Sequence, residues 1–288
     1  MAAGRAASMV LGIGEKIMSD NTDELLFTVE DGVALLTLNR PERRNAFTAT
    51  MIETWRERLE ECARRSDVGA VVLTGAGKAF CSGGDIGGMA QGASGMDSNN
   101  PGFLMKNFLW GHIHRIALTL ERLDKPMICA LNGSATGAGL DMALMCDIRF
   151  CAEHAKLAET YSSIGLVPGD GGGYFLPRIV GVAKALELLW TGEFIDAAEA
   201  LRLGMVSRVY PADELLPQTL AFARKLAARP RLAVSMIKRA VYQGLRSDLW
   251  THLDLISSHM AIVAQSADHR EGVAAFLEKR EPRFNQGG

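Results

Sequence analysis

The chain has 288 residues, 48% apolar and 22% charged, with a formal net charge of -2. That length suffices for one large domain or two small ones, and the near-neutral charge offers no footprint for nucleic acid or an anionic membrane. No window approaches the roughly 18 consecutive apolar residues of a membrane-spanning helix. Cys62, Cys81, Cys129, Cys146 and Cys151 are odd in number and lack a CxxC pair, the pattern of reduced thiols in a cytoplasmic protein.

In chain order, residues 1–17 are small and basic with a single acid, Glu15, and Met18 heads a second, more natural start. Residues 1–20 therefore read as a disordered leader or expression remnant, in preference to a weak organellar presequence. In LFTVEDGVALLTLNR two apolar runs flank Asp31-Gly32, which predicts a β-hairpin over 26–38 with a type I′ turn. MIETWRERLEECARR has helical periodicity and a basic end. AVVLTGAG is a short buried strand running into glycines. Residues 82–102 read as a glycine-rich, polar, mobile loop with helical patches.

PGFLMKNFLWGHIHRIALTLERL predicts one amphipathic helix, MICALNG a strand after Pro126, and IRFCAE a third strand. ALELLWTG, AAEALRLGMVSRV and the remainder to residue 284 read as mostly helical. The class is α/β, with a core over 21–215 and a helical region over 216–288. His112 and His114 would face different sides of their helix and read as ordinary surface or interface histidines. Trp110, Met142, Met145, Cys146 and Cys151 read as core packing.

TGAGKAF lacks the earlier glycine of a phosphate loop, GAGLDM lacks the third glycine of a dinucleotide fingerprint, and no GxSxG elbow is present. What remains is a strand–glycine–helix pattern seen twice, in VVLTGAGKAFCSGGD and ICALNGSATGAGLD. Free backbone amides at two such strand ends suggest a pair of donors converging on one oxygen.

Five segments in order, LTLNRPERRNAFTATM, GKAFCSGGDI, NGSATGAGLDMALMCDIRFCAEHAKLAE, GLVPGDGGGYFLPRIVG and AFLEKREPRF, resemble the crotonase superfamily, the enoyl-CoA hydratase and isomerase family. The resemblance spans residues 26–284. It implies a crotonase-like spiral of ββα units with a helical trimerisation region, self-assembly into trimers or dimers of trimers, and an acyl-CoA substrate with no cofactor beyond its coenzyme A moiety. Carried over by position, the Gly84 and Ala138 amides would form an oxyanion hole. Arg43, Ala46, Ser82, Asp85 and Ile86 would contact coenzyme A, with Phe276 and Lys279 near the CoA site, sometimes of a neighbouring subunit. Asp85 reads equally as a turn-stabilising Asx residue.

Asp141 aligns with the first carboxylate of a hydratase and competes with a helix-cap reading. Tyr161 stands where the second carboxylate is expected. Asp170 matches an acid of the dienoyl-CoA isomerases and is also what a tight P-G-D-G-G loop selects. Glu159, two residues before Tyr161, is a weaker candidate that a strand would point the same way. The implied activity is enoyl-CoA hydration, the alternatives a double-bond isomerase or a silent acyl-CoA-binding relative.

Overall fold

The computed structural model describes residues 23–85 and 101–286. Ile86, most of the glycine-rich loop and the proposed leader lie outside the described residues. Asp31 and Gly32 both take positive φ, 51° and 77°, as a type I′ turn requires. They join β1 (Leu25–Glu30) to β2 (Val33–Leu38) in antiparallel register from Leu25↔Leu38 to Glu30↔Val33.

From β2 onward the main sheet is parallel. Its order is β1-β2-β3-β5-β7-β10, with β3 (Ala70–Gly75), β5 (Met127–Leu131), β7 (Ile148–Ala152) and β10 (Arg208–Tyr210). Every residue of β3 and β5 is buried, because helices cover both faces of this part of the sheet. Val71 and Leu73 point into the larger core with Trp55 and Leu59 of helix Ala49–Arg64. Ala70 and Val72 point the other way, onto Leu215, Ala223 and Ala227 of helix Ala212–Ala227. Residue 215 thus lies inside a helix that packs on the sheet.

A second, smaller sheet positions the site. Its order is β4-β6-β8-β9, with β4 (Ala79–Cys81), β6 (Ser134–Thr136), β8 (Lys156–Ala158) and β9 (Ile195–Asp196). These strands have two or three residues each, too short to show alternation in the sequence.

Three sequence readings change. The single helix expected after residue 100 is two, Pro101–Gly111 and Ile113–Arg122, parted by the non-helical His112. Gly111, a poor helix former, precedes the break. Within AAEALRLGMVSRV the helix stops at Arg202, and residues 208–210 form β10. Trp110 is exposed, edge-on to His114, and not core. Met142, Met145 and all five cysteines are buried, the cysteines as free thiols.

Helices Arg231–Gly244 and Leu249–Ala264 bury no residue, and Ala267–Glu278 buries only Ala275. Among the described residues no helix is long and apolar enough to cross a membrane.

Candidate active site

β4 and β6 pair in parallel, Ala79↔Ser134 and Cys81↔Ala135, so their glycine-rich continuations leave the small sheet side by side. A side chain built at Gly83 would meet the Thr136 carbonyl at 3.2 Å and the Ala138 nitrogen at 3.6 Å. Gly84 forms an isolated parallel bridge with Phe47. The Phe47 amide donates to the Gly83 carbonyl (2.8 Å), and the Asp85 amide donates to the Phe47 carbonyl (3.1 Å). The bridge uses these flanking groups and turns the Gly84 amide to the opposite edge. Ala138 opens helix Ala138–Leu144, so its amide is a first-turn donor without an intrahelical partner. The residue before it, Gly137, has φ 50° and ψ -124°, a conformation only glycine adopts without strain.

One turn further, Asp141 is fully buried. Its Oδ2 accepts from the Tyr161 hydroxyl at 2.7 Å, and the same hydroxyl lies 2.9 Å from Asp170 Oδ2. The side chain bonds Tyr161 while keeping its place in the first turn of the helix, where the dipole also favours an acid. Tyr161 sits in the 3-10 helix Thr160–Ile164, and Asp170 in the turn before helix Gly172–Val180. Sequence reasoning named both as alternatives; the fold brings both to Asp141.

A phenol has one proton and cannot donate to two carboxylates at once. One contact therefore needs a proton on a carboxyl group. Burial pushes Asp141 up to about 6, with the Asp170 charge adding to it and the Tyr161 hydroxyl opposing. Burial also raises Asp170, offset by Tyr161 and His114. Tyr161 is raised by burial and by both acids, so it stays a phenol. Gly172 lets Asp141 fit, since a Cβ there would fall 2.2 Å from Oδ1.

Glu159 is not in a strand; it precedes the 3-10 helix and is buried at 1% exposure. Burial, then Asp141, pushes its carboxyl up to about 10. His114 is no free surface group, because its Nε2 lies 2.7 Å from the Gly169 carbonyl and steadies the Asp170 turn. A cavity of about 830 Å³ adjoins Asp170, walled by Leu118, Leu144, Met145, Tyr174 and Phe175. Among the described residues no group of three or more His, Cys, Asp or Glu could hold a metal ion.

Arg43, Ala46, Ser82 and Asp85 meet on one rim beside Gly84. Arg43 ends the 3-10 helix Pro41–Arg43, and its carbonyl accepts from the Ser82 hydroxyl at 3.5 Å. Asp85 is held by the Arg40 guanidinium at 3.2 and 3.1 Å, as an ion pair. Sequence reasoning missed Arg40 and Asn45. The Asn45 amide nitrogen serves the Ala76, Ala79 and Phe80 carbonyls, and its oxygen accepts from the Arg40 amide. Arg40 and Asn45 both sit in the polar run 39–45 that follows β2, which marks a loop but not what its side chains hold. Phe276, 82% exposed, and Lys279 lie at the end of helix Ala267–Glu278 and touch none of these groups in the hydrogen bonds and ion pairs of the described residues.

Two glycine-rich strand ends set beside buried acids, on a mostly parallel sheet with a helical tail, define an α/β protein of the crotonase-like fold. An enoyl-CoA hydratase from Bacillus anthracis superposes with a TM-score of 0.84 at 32% identity, covering 91% of this chain and 99% of that one. One from Polaromonas sp. JS666 gives 0.85 at 31%, over 91% and 99%. The Escherichia coli K12 1,2-epoxyphenylacetyl-CoA isomerase is 38% identical over 90% of this chain and 97% of its own. The crotonyl-CoA hydratase of Syntrophomonas wolfei is 32% identical over 91% and 98%. The enoyl-CoA hydratase/isomerase family model matches residues 28–287, and the chain belongs to that family.

Proposed function

We propose that this protein is an enoyl-CoA hydratase, adding water across the 2,3 double bond of an acyl-CoA thioester. One observation carries the reading: buried Asp141, whose Oδ1 has no partner among the described residues, is linked through the Tyr161 hydroxyl to a second acid, Asp170. In this reading the thioester oxygen accepts from the Gly84 and Ala138 amides, which stabilise the enolate as charge develops there. Ionised Asp141 takes a proton from water as its oxygen attacks C3. A protonated carboxyl of the Asp170–Tyr161 pair returns one to C2, so the proton count closes with each turnover.

Arg43, Ala46, Ser82 and Asp85 would hold the coenzyme A arm on the rim, with Ile86 following them, and the cavity beside Asp170 would take the acyl tail. No cofactor beyond the coenzyme A moiety is needed. The exposed Leu249, Trp250, Phe276 and Leu277 on the last helices support self-association, and a neighbouring subunit would then present Phe276 and Lys279 to the CoA site. The five buried free thiols fit the expected cytoplasmic setting.

The phenol joining both acids also favours a second reading, double-bond isomerisation, in which the same relay carries a proton between two carbons without adding water. Turnover of 2-enoyl-, 3-enoyl- and dienoyl-CoA esters in heavy-oxygen water separates the two. A labelled product one water heavier is the expected result. An unlabelled product of unchanged mass replaces hydration by isomerisation, and binding without turnover on the whole panel overturns both.

A further inference from the structure

Besides Asp141 and Asp170, the site contains a third buried acid that the proposed reaction does not use. Glu159 is 1% exposed, and among the described residues neither of its carboxyl oxygens has a hydrogen-bond partner. Among the described residues the only other buried carboxyl oxygen in that condition is Asp141 Oδ1. Glu159 and Asp141 influence each other as side chains within hydrogen-bonding reach, and the Asp141 oxygen that Tyr161 leaves unpartnered is Oδ1. An isolated carboxylate in such a place carries a heavy desolvation cost, whereas a carboxylic acid beside a carboxylate satisfies both groups with one proton.

Among the described residues the charged groups that act on Glu159 are both acids, Asp141 on helix Ala138–Leu144 and Asp170 in the turn before helix Gly172–Val180. Both disfavour a charge at Glu159. We propose that Glu159 is a positioning residue, a neutral carboxylic acid whose O–H donates to Asp141 Oδ1 and holds that carboxylate against the two glycine-rich segments. The proposal rests on Asp141 being the acting acid. Asp141 is then gripped from two sides, by Tyr161 on Oδ2 and by Glu159 on Oδ1. The direction of the Glu159 shift, upward to about 10, agrees with a proton retained through neutral pH.

Two measurements test this, one independent of catalysis. In infrared difference spectra at pH 8, wild type minus E159Q should contain a protonated-carboxyl C=O band, and its absence overturns the proposal whatever the protein catalyses. In kinetics, E159Q keeps a neutral donor and should retain most of kcat with its acidic limb in place. E159M keeps the volume without the donor, and the acidic limb of kcat/KM should rise by about one pH unit, roughly a tenfold loss on that limb. Equal profiles for the Gln and Met variants would reduce Glu159 to a space-filler and refute the positioning role. Loss of turnover in E159Q would make Glu159 an ionising catalyst and refute it equally. If no CoA ester is turned over, the function proposed above fails while the infrared band still decides whether Glu159 carries the proton.

Discussion

Gly172→Ala places one methyl group where Asp141 already is. Gly172 opens a helix with an ordinary negative φ, so alanine is allowed by the backbone and favoured by helix propensity, by about 1 kcal/mol. The obstacle is the neighbour: the new Cβ would stand 2.2 Å from Asp141 Oδ1, 3.1 Å from Cγ and 3.2 Å from Oδ2. Restoring van der Waals contact moves the carboxyl by about 1 Å, a misplacement that costs on the order of 100-fold in rate. Overpacking a closed interior costs about 1–3 kcal/mol, so helix propensity offsets only part of it. Steady-state kinetics on the best CoA ester, with urea melts beside them, read both effects. The penalty in stability should largely vanish when Asp141→Ala supplies the background, because the clashing partner is gone. A Gly172→Ala enzyme within threefold of wild type, or a stability penalty that persists in the Asp141→Ala background, would sink the argument.

Three further outcomes are expected. Asp141→Asn should lose turnover yet gain stability at pH 8. The folded carboxyl titrates at about 6, above its ordinary 3.8, so the wild type loses stability as pH rises through that window, by about 3 kcal/mol at the plateau; urea melts between pH 4 and 8 should show the gap opening, and a constant gap would contradict it. Tyr161→Phe removes a hydroxyl that lowers both acids, so both pKa values rise. Stability at pH 8 should fall by about 1–3 kcal/mol, less at pH 4, and the acidic limb of the rate profile should move upward. Burial pushes the Cys81 and Cys151 thiols up to about 12 and Cys62 to about 11, and raises Cys129. A thiol reagent at pH 8 should therefore find none of them in the native protein and all five in urea; rapid native labelling would refute the packing of these cores.

The hairpin, the parallel strands and the two glycine-rich segments were legible because each rests on local chemistry: paired positive-φ residues, continuous apolar runs, a strand emptying into glycines. The small sheet was not, since strands of two or three residues form only when the large sheet holds their ends together. Its pairing is what sets Gly83 beside Ala138. Asp141, Tyr161 and Asp170 could be listed from the sequence, yet their meeting through one hydroxyl depends on a 3-10 helix and a turn that pattern alone does not orient. Glu159 was expected to share a strand face with Tyr161; the chain turns between them, and burial rather than alternation directs it to Asp141. Trp110 misled for the opposite reason, since nothing local marks which face of its helix lacks a partner. Phe276 and Lys279 share no hydrogen bond or ion pair with the rim among the described residues; the family resemblance had placed them near the CoA site, sometimes of a neighbouring subunit.

Because Phe47 is bonded to both flanks of Gly84, while the chain just before it forms the rim with Ser82 and Asp85, the rim proposed to hold the carrier and the peptide proposed to polarise the thioester are one mechanical piece. A thioester cut back to its pantetheine stub would leave that piece slack at its outer end. The handle would then contribute to speed as well as to adhesion: shortening it should depress kcat as well as raise KM, remote affinity being converted into alignment where the bond is made.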